Sequence, residues 1–201
     1  MPEEFNTTEP TNTADNYSKT KEVLAFVWET AKIIIISLAI ILPIRYYLVQ
    51  PFFVKGASME ENFHDGDYLL VDEISYRLEA PQRGDVIVFR YPENPSQFFI
   101  KRIIGLPGET VEVKDNKVIV YNEENKEGLA LGESYLASYQ QTNGNSRVSL
   151  DNNNYYVLGD NRLQSSDSRR WGTLDKKLII GKAWLRLWPV TKITKVQAVS
   201  Y

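Results

Sequence analysis

Residues 98–104 read Phe-Phe-Ile-Lys-Arg-Ile-Ile and run into a Pro-Gly turn signal at residues 105–108. An apolar run of this length that ends at such a turn is typical of a β-strand. Side chains of a strand alternate between its two faces, so Phe99, Lys101 and Ile103 are expected on one face. The stretch therefore predicts a strand that places a lysine among apolar neighbours.

Short apolar runs of the same kind recur from about residue 52 onward. They are residues 68–71, 86–89, 111–114, 117–120, 155–158 and 179–188. Turn signals separate them, including a hairpin signature at Asp115-Asn116, and helical periodicity is scarce. The pattern predicts a mainly β domain over residues 51–201, built as a barrel or as packed antiparallel sheets. Residues 122–153 are polar and are expected to form a surface insertion or a small subdomain.

The N-terminal part has a different composition. Residues 1–20 are rich in Thr, Asn, Glu and Pro, which predicts a disordered tail. Residues 33–44 are apolar and uncharged, and apolar flanks extend them toward the roughly 20 residues that cross a bilayer. We predict one transmembrane anchor helix over residues 21–50. A cleaved signal peptide and a buried helix remain as alternatives, although the residues after the apolar run make a poor cleavage site.

Composition excludes several kinds of site. The chain has no cysteine and one histidine, His64, and its net charge is −3. Thiolate nucleophiles, disulfides and a multi-histidine metal site within one chain are excluded, and no basic excess points to nucleic acid. A Ser-His-Asp triad could use only His64, which the surrounding sequence places in a turn. A side-chain nucleophile would therefore depend on Lys, Asp or Glu as its base.

Two residues are candidates for such chemistry. Ser58 follows a glycine in residues 54–59, Val-Lys-Gly-Ala-Ser-Met, just after the apolar helix. Burial of Lys101 on its strand face would disfavour the ammonium form and lower its pKa toward the range of a general base. Taken separately, each has an ordinary structural interpretation: Ser58 as a turn residue and Lys101 as a side chain that reaches solvent at a strand edge.

A third segment, residues 159–169, reads Gly-Asp-Asn-Arg-Leu-Gln-Ser-Ser-Asp-Ser-Arg and follows a predicted strand. Its acidic and basic side chains can pair with one another, so a solvated, salt-bridged loop is one interpretation. A hydroxyl such as that of Ser165 could instead orient a neutral lysine amine by hydrogen bonding.

The order of these segments resembles the type I signal peptidases, membrane-bound serine/lysine enzymes that cleave signal peptides from exported proteins. The resemblance covers roughly residues 21 to 189. After the anchor, the matching segments are residues 56–59 (Gly-Ala-Ser-Met), 83–89 (Arg-Gly-Asp-Val-Ile-Val-Phe), 101–109 (Lys-Arg-Ile-Ile-Gly-Leu-Pro-Gly-Glu) and 159–169. Each segment is modest evidence by itself, and the four in this order are specific.

The resemblance implies that Ser58 is the nucleophile and Lys101 the general base, with the backbone N–H of Ser58 as an oxyanion donor. The supporting positions it implies are Gly56, where some members carry a hydroxyl donor, Met59 of the same motif, Ser165 as the serine that positions the lysine, and the ion pairs Arg102–Asp160 and Asp167–Arg169.

The resemblance also implies partners and a location. The expected partners are preprotein signal peptides and a lipid bilayer, with no nucleic acid, no metal and no cofactor. The expected location is the plasma (inner) membrane, crossed once, with the catalytic domain on the extracytoplasmic face. A slight excess of lysines before the apolar run favours an N-terminus on the inside.

One position departs from the family. Where the family usually has Ser-Met-x-Pro-Thr-Leu, residues 58–63 read Ser-Met-Glu-Glu-Asn-Phe, with Glu61 in place of the proline. A carboxylate near Lys101 would favour the charged amine, so a catalytically impaired, membrane-tethered binding protein of the same fold is an alternative. A self-cleaving repressor-type serine/lysine domain is another, but it would need an N-terminal DNA-binding domain.

Simple alternation along residues 179–188 would place Trp184, Arg186 and Trp188 on one strand face. That face could rest on lipid headgroups, although ordinary cross-strand packing is the preferred interpretation.

Overall fold

The computed structural model describes residues 13–43, 49–199 and 201, and it contains two compact units, residues 1–45 and 46–201. The first unit holds helix α1, Thr13–Pro43. Within it, Lys21–Leu42 is long and apolar enough to cross a membrane, with a mean hydropathy of 2.1 and no part of the window buried in the protein.

The bounds of α1 differ from those expected of the N-terminal region. The helix begins at Thr13, inside the stretch predicted to be disordered, because residues 13–42 contain no proline or glycine that would interrupt it. The helix ends at Pro43, and strand structure is present from Val49, so the predicted anchor extends past the helix. Residues 1–12 and 44–48 lie outside the described residues.

The second unit is mainly β, as predicted. Its strands are β1 Val49–Phe53, β2 Tyr68–Asp72, β3 Val86–Tyr91, β4 Asn94–Gly105, β5 Thr110–Lys114, β6 Lys117–Tyr121, β7 Leu129–Ala130, β8 Ser146–Ser149, β9 Asn154–Leu158, β10 Leu174–Asp175, β11 Ile179–Trp188 and β12 Thr194–Lys195. Two single-turn helices, α2 Ser75–Leu78 and α3 Ser168–Trp171, and 3₁₀ turns at Lys176–Leu178 and Val190–Lys192 complete it.

The strands form two antiparallel sheets. The larger sheet has the order β1-β2-β11-β3-β4-β9-β10, with β12 paired to β11, and the smaller sheet has the order β7-β6-β5-β8. The hairpin predicted at Asp115-Asn116 joins β5 to β6, and both residues have positive φ, 49° and 60°, as a type I′ turn requires. Strands β7 and β8 lie within the polar insertion, so part of residues 122–153 completes the smaller sheet.

Strand β4 passes from solvent into the core along its length. Its first five residues are exposed and its last six, from Ile100 to Gly105, are buried. The buried half lies between β3 and β9, with Arg102 paired to Val86 on one side and to Leu158 on the other. Lys101 therefore lies near the point where the strand enters the protein.

Strand β11 does not alternate as its sequence suggested. Register shifts between Ala183 and Leu185, and again between Arg186 and Trp188, interrupt its pairing with β2. Bulges of this kind turn the following side chain to the other face. As a result Arg186 is buried at 8% exposure while Trp184 is 42% exposed, and the expectation that they share a face is wrong.

Candidate active site

Ser58 lies in a loop that we call the Ser58 loop, residues 54–67, between β1 and β2. Its two ends are joined by the backbone bond from Val54 N to Asp67 O, 2.9 Å. Gly56 adopts a positive φ of 84°, which is the left-handed conformation that glycine tolerates best. Met59 is fully buried and anchors the loop next to Ser58 in the core.

The Ser58 hydroxyl and the Lys101 amine lie together. Lys101 Nζ is 2.7 Å from Ser58 Oγ and donates to the carbonyl oxygen of Ile100 at 2.8 Å. Lys101 is 3% exposed, and this burial lowers its pKa from 10.5 to about 8, although Asp167 and Asp160 partly oppose the shift. About one amine in ten is then neutral at pH 7, against on the order of one in several thousand for an ordinary lysine.

Arg102, on the opposite face of β4, binds Asp160 at two points. Its Nε donates to Oδ1 at 2.9 Å and its Nη2 to Oδ2 at 2.6 Å, and the side chains are 4% and 1% exposed. The backbone N–H of Asp160 points to Met59 Sδ at 3.4 Å, and that of Asn161 donates to the carbonyl oxygen of Ser58 at 3.1 Å. The ion pair thus fixes residues 160–161, which contact Met59 and Ser58.

Asp167 forms the second expected ion pair. Its carboxylate accepts from Arg169 Nε and Nη2, both at 2.8 Å, and from the Gly159 N–H at 3.1 Å. Burial alone would raise the pKa of Asp167, but these donors hold it below its usual value. The loop after β9 is therefore closed on itself by a buried, charged carboxylate.

Among the described residues, no hydrogen bond joins Ser165 to the amine. The hydrogen bonds of Lys101 Nζ go to Ser58 and Ile100, while Ser165 Oγ lies near Asp167 and helps to hold the pKa of that carboxyl below its usual value. Ser165 lies beside Gly159, where a Cβ atom would come within 2.2 Å of its Oγ and 2.4 Å of Ser58 O. Its expected role in positioning the lysine stays a prediction.

Sequence reasoning missed several residues that support the site. Asn62 Nδ2 donates to Asp160 Oδ2 at 2.8 Å and to the carbonyl oxygen of Tyr135 at 3.1 Å. The ring of Tyr135 lies 4.3 Å from the Arg102 guanidinium carbon, and Glu133 pairs with the fully buried Arg162. Glu133 and Tyr135 are far from the motifs in sequence and lie in a polar stretch, so no periodicity or spacing could have revealed them.

A cleft of about 780 Å³ opens at Ser58 and Lys101. Its lining is mostly apolar. It consists of residues 51–58, residues 97–101 on β4, Leu69 on β2 and Val88 on β3, with Gln164 and Ser166 from the loop after β9. Residues 98–100 of β4 pair with β3 alone, since the pairing with β9 starts at Arg102. The cleft therefore borders a stretch of the β4 edge with which no described strand pairs.

With a serine hydroxyl at hydrogen-bond distance from a desolvated lysine amine, beside an apolar cleft, the arrangement would allow the serine to act as a nucleophile and the lysine as its base. A family model described as "Signal peptidase, peptidase S26" matches residues 27–188. The chain therefore belongs to the signal peptidase family, and it is a serine protease of the signal peptidase I kind.

The individual relatives are signal peptidases as well. Signal peptidase I of Leptolyngbya laminosa is 39% identical over 175 residues, which cover 82% of this chain and 81% of the relative. Probable signal peptidase I-1 of Synechocystis is 37% identical, covering 83% and 85%. A crystal structure of signal peptidase I from Enterococcus faecalis V583 aligns with 52% of this chain and 97% of its own at 32% identity and a TM-score of 0.44.

Gly159→Ala is expected to disrupt the site without unfolding the protein. The new Cβ would push on Ser58 O and Ser165 Oγ and displace the nucleophile. We expect kcat/KM for preprotein cleavage to fall on the order of 100-fold, as small displacements of reacting groups commonly cause. Gly132→Ala is the control, since nothing lies within 4 Å of its Cβ position. Equal activity of both variants would contradict the close approach.

Lys101→Met is expected to stabilise the protein while it abolishes activity. The buried amine releases its proton at about pH 8 in the folded state and near 10.5 in the unfolded state. The unfolded state therefore binds more protons between these values, and burial costs the wild type up to about 3 kcal/mol below pH 8. Denaturation at pH 7 should show the variant more stable, with the difference shrinking toward pH 10. A variant less stable than wild type at pH 7 would contradict this.

Proposed function

We propose that the protein is a membrane-anchored endopeptidase that cleaves signal peptides from preproteins, with Ser58 as nucleophile and Lys101 as general base. The observation that carries the proposal is the 2.7 Å separation of Lys101 Nζ and Ser58 Oγ, with Lys101 only 3% exposed. The named relatives are signal peptidases over most of their length, which supports the same reaction for this chain.

The reaction is an acyl transfer. Neutral Lys101 takes the proton of the Ser58 hydroxyl as its oxygen attacks the scissile carbonyl carbon, and the backbone N–H of Ser58 donates to the developing oxyanion. The peptide C–N bond breaks, and the leaving amine receives the proton from Lys101. Water then attacks the ester carbonyl, Lys101 takes its proton, and Ser58 regains its hydrogen as the acid product leaves. Gly56 has no hydroxyl, so the oxyanion receives no side-chain donor from that position.

The cleft suits an extended substrate. The open edge of β4 at residues 98–100 can pair with a peptide strand, and backbone pairing of this kind tolerates many sequences. Val54, Leu69 and Val88 make this part of the cleft apolar, which favours uncharged side chains next to the cut. A substrate in this position brings its scissile carbonyl to Ser58.

The helix α1 supplies the membrane anchor in this proposal. Lys21–Leu42 can cross a bilayer once, and a signal peptide carries its own apolar segment into the same membrane. Enzyme and substrate then meet by diffusion in two dimensions. We place the catalytic unit on the extracytoplasmic face of the plasma (inner) membrane, where exported preproteins emerge.

Cleavage of a preprotein by the detergent-solubilised full chain tests the dyad. Wild type, Ser58→Ala and Lys101→Ala should be compared, with gel separation of precursor and mature protein as the readout. Each substitution should lower kcat by at least about 10³-fold, because removal of a nucleophile or its base eliminates the covalent route. Equal cleavage by all three would refute the dyad, and no cleavage by wild type across several preproteins would favour the impaired binding protein.

The pH profile tests the state of Lys101. The amine acts as a base only when neutral, so kcat/KM should fall about tenfold per pH unit below its pKa of about 8 and level off above it. The measurement is initial cleavage rate at low preprotein concentration from pH 6 to 10. An inflection of the profile near pH 10.5 would show that the amine is not desolvated. A flat profile would show that no lysine titration controls the rate.

A further inference from the structure

Residues 133–142 lie against the Ser58 loop, and we call this segment the strap. It reaches the loop at two consecutive residues. The Tyr139 hydroxyl donates to the Glu61 carboxylate, and the Tyr135 carbonyl oxygen accepts from Asn62 Nδ2 at 3.1 Å. The strap therefore contacts the turn that directly follows the nucleophile.

The strap is itself fixed to the loop after β9. The guanidinium of Arg162, whose side chain is 0% exposed, bonds the Glu133 carboxylate, the Tyr135 hydroxyl at 2.8 Å and the Thr142 hydroxyl. These partners lie near the start and at the end of the strap, so both ends are tied to one buried cation. The paired charges satisfy each other in the interior, which makes this attachment costly to break.

Asn62 connects the strap to the turn that contains Ser58. Its backbone N–H donates to the carbonyl oxygen of Met59 at 3.0 Å, within a tight turn that also contains the bond from Glu60 N to Ala57 O at 3.2 Å. The turn closes around Ser58, so a shift of Asn62 moves the nucleophile. Asn62 Nδ2 also donates to Asp160, so Asn62 contacts the loop after β9 as well as the strap.

Glu61 occupies the position at which the resembling family has proline. Proline would fix φ by its ring, whereas a glutamate backbone is free to rotate unless its side chain is held. Here the Tyr139 hydroxyl donates to the Glu61 side chain at the protein surface. Among the described residues no hydrogen bond is formed by the Glu61 backbone N–H, so a proline would lose none.

We propose that the strap positions Ser58, with Asn62 and Tyr139 as positioning residues and the Tyr139–Glu61 bond in place of the restraint that proline gives in the family. The proposal rests on the proposed function, because it concerns placement of the nucleophile for that reaction. The strap then acts on the chemical step more than on substrate binding, since its contacts lie behind the loop and it contributes no residue to the cleft lining.

Kinetics of the detergent-solubilised full chain test the proposal. The variants are Tyr139→Phe, Glu61→Ala, their combination, and Asn62→Ala. The control is Tyr121→Phe, which removes a bond of the same kind, from the Tyr121 hydroxyl to Glu112 at 2.6 Å, in the smaller sheet. We expect Tyr139→Phe and Glu61→Ala each to lower kcat three- to tenfold with KM within twofold, and Asn62→Ala to lower kcat at least tenfold. Tyr121→Phe should match wild type.

Two further results separate positioning from a purely structural role. The combined Tyr139→Phe and Glu61→Ala variant should be no slower than the slower single variant, because both remove one bond. Glu61→Pro added to Tyr139→Phe should restore kcat to within twofold of wild type. The acid limb of the pH profile should stay near 8 in Tyr139→Phe.

Three results would overturn the proposal. The first is a set of strap variants whose kcat equals that of wild type and whose melting temperature alone is lower. The second is a combined variant in which the two losses of kcat multiply, and the third is a pH profile of Tyr139→Phe shifted to higher pH, which would show Glu61 acting on the charge of Lys101. Failure of the proposed function gives a different pattern, an inactive wild type or an active Ser58→Ala. An active wild type, an inactive Ser58→Ala and unimpaired strap variants would overturn this inference alone.

Discussion

Arg102 and Asp160 form a two-point ion pair almost out of contact with solvent, and each partner also holds a different part of the site. Arg102 donates to the carbonyl oxygen of Gly84 at 2.9 Å, while Asp160 accepts from Asn62 and meets Met59 through its backbone. Removal of either partner would leave a charge buried alone, at a typical cost of about 3–5 kcal/mol. The placement of the Ser58 loop against β4 therefore depends on this pair.

Lys101 and Arg102 are adjacent on β4, and their pKa values shift in opposite directions because they lie on opposite faces of the strand. Arg102 lies on one face, where Asp160 outweighs the effect of burial and raises its pKa. Lys101 lies on the other face, where it pairs with no carboxylate of the described residues, and burial lowers its pKa to about 8. Two basic residues adjacent in sequence thus become a permanent cation and an amine that loses its proton more readily, because a strand turns successive side chains in opposite directions.

The elements that could be predicted from the sequence are those whose signals are local. The run at residues 98–104, the hairpin at Asp115-Asn116 and the burial of Lys101 all follow from period and turn chemistry, and the structure contains them. The bulges of β11 could not be predicted, because a register shift depends on the pairing with its neighbours. The contacts of Asn62 were equally hidden, since they join residues 73 and 98 positions apart.

Strand β1 lies at the edge of the larger sheet, where no further strand among the described residues pairs with it, and such an edge can pair with another strand, including that of a second copy. Val54 N–H faces β2, through its bond to Asp67, so by alternation the backbone groups of Pro51 and Phe53 face outward. Pro51 has no N–H to offer there. The outer row of β1 consequently lacks a donor in its middle, which prevents a continuous ladder between two copies and makes the chain resistant to edge-to-edge aggregation.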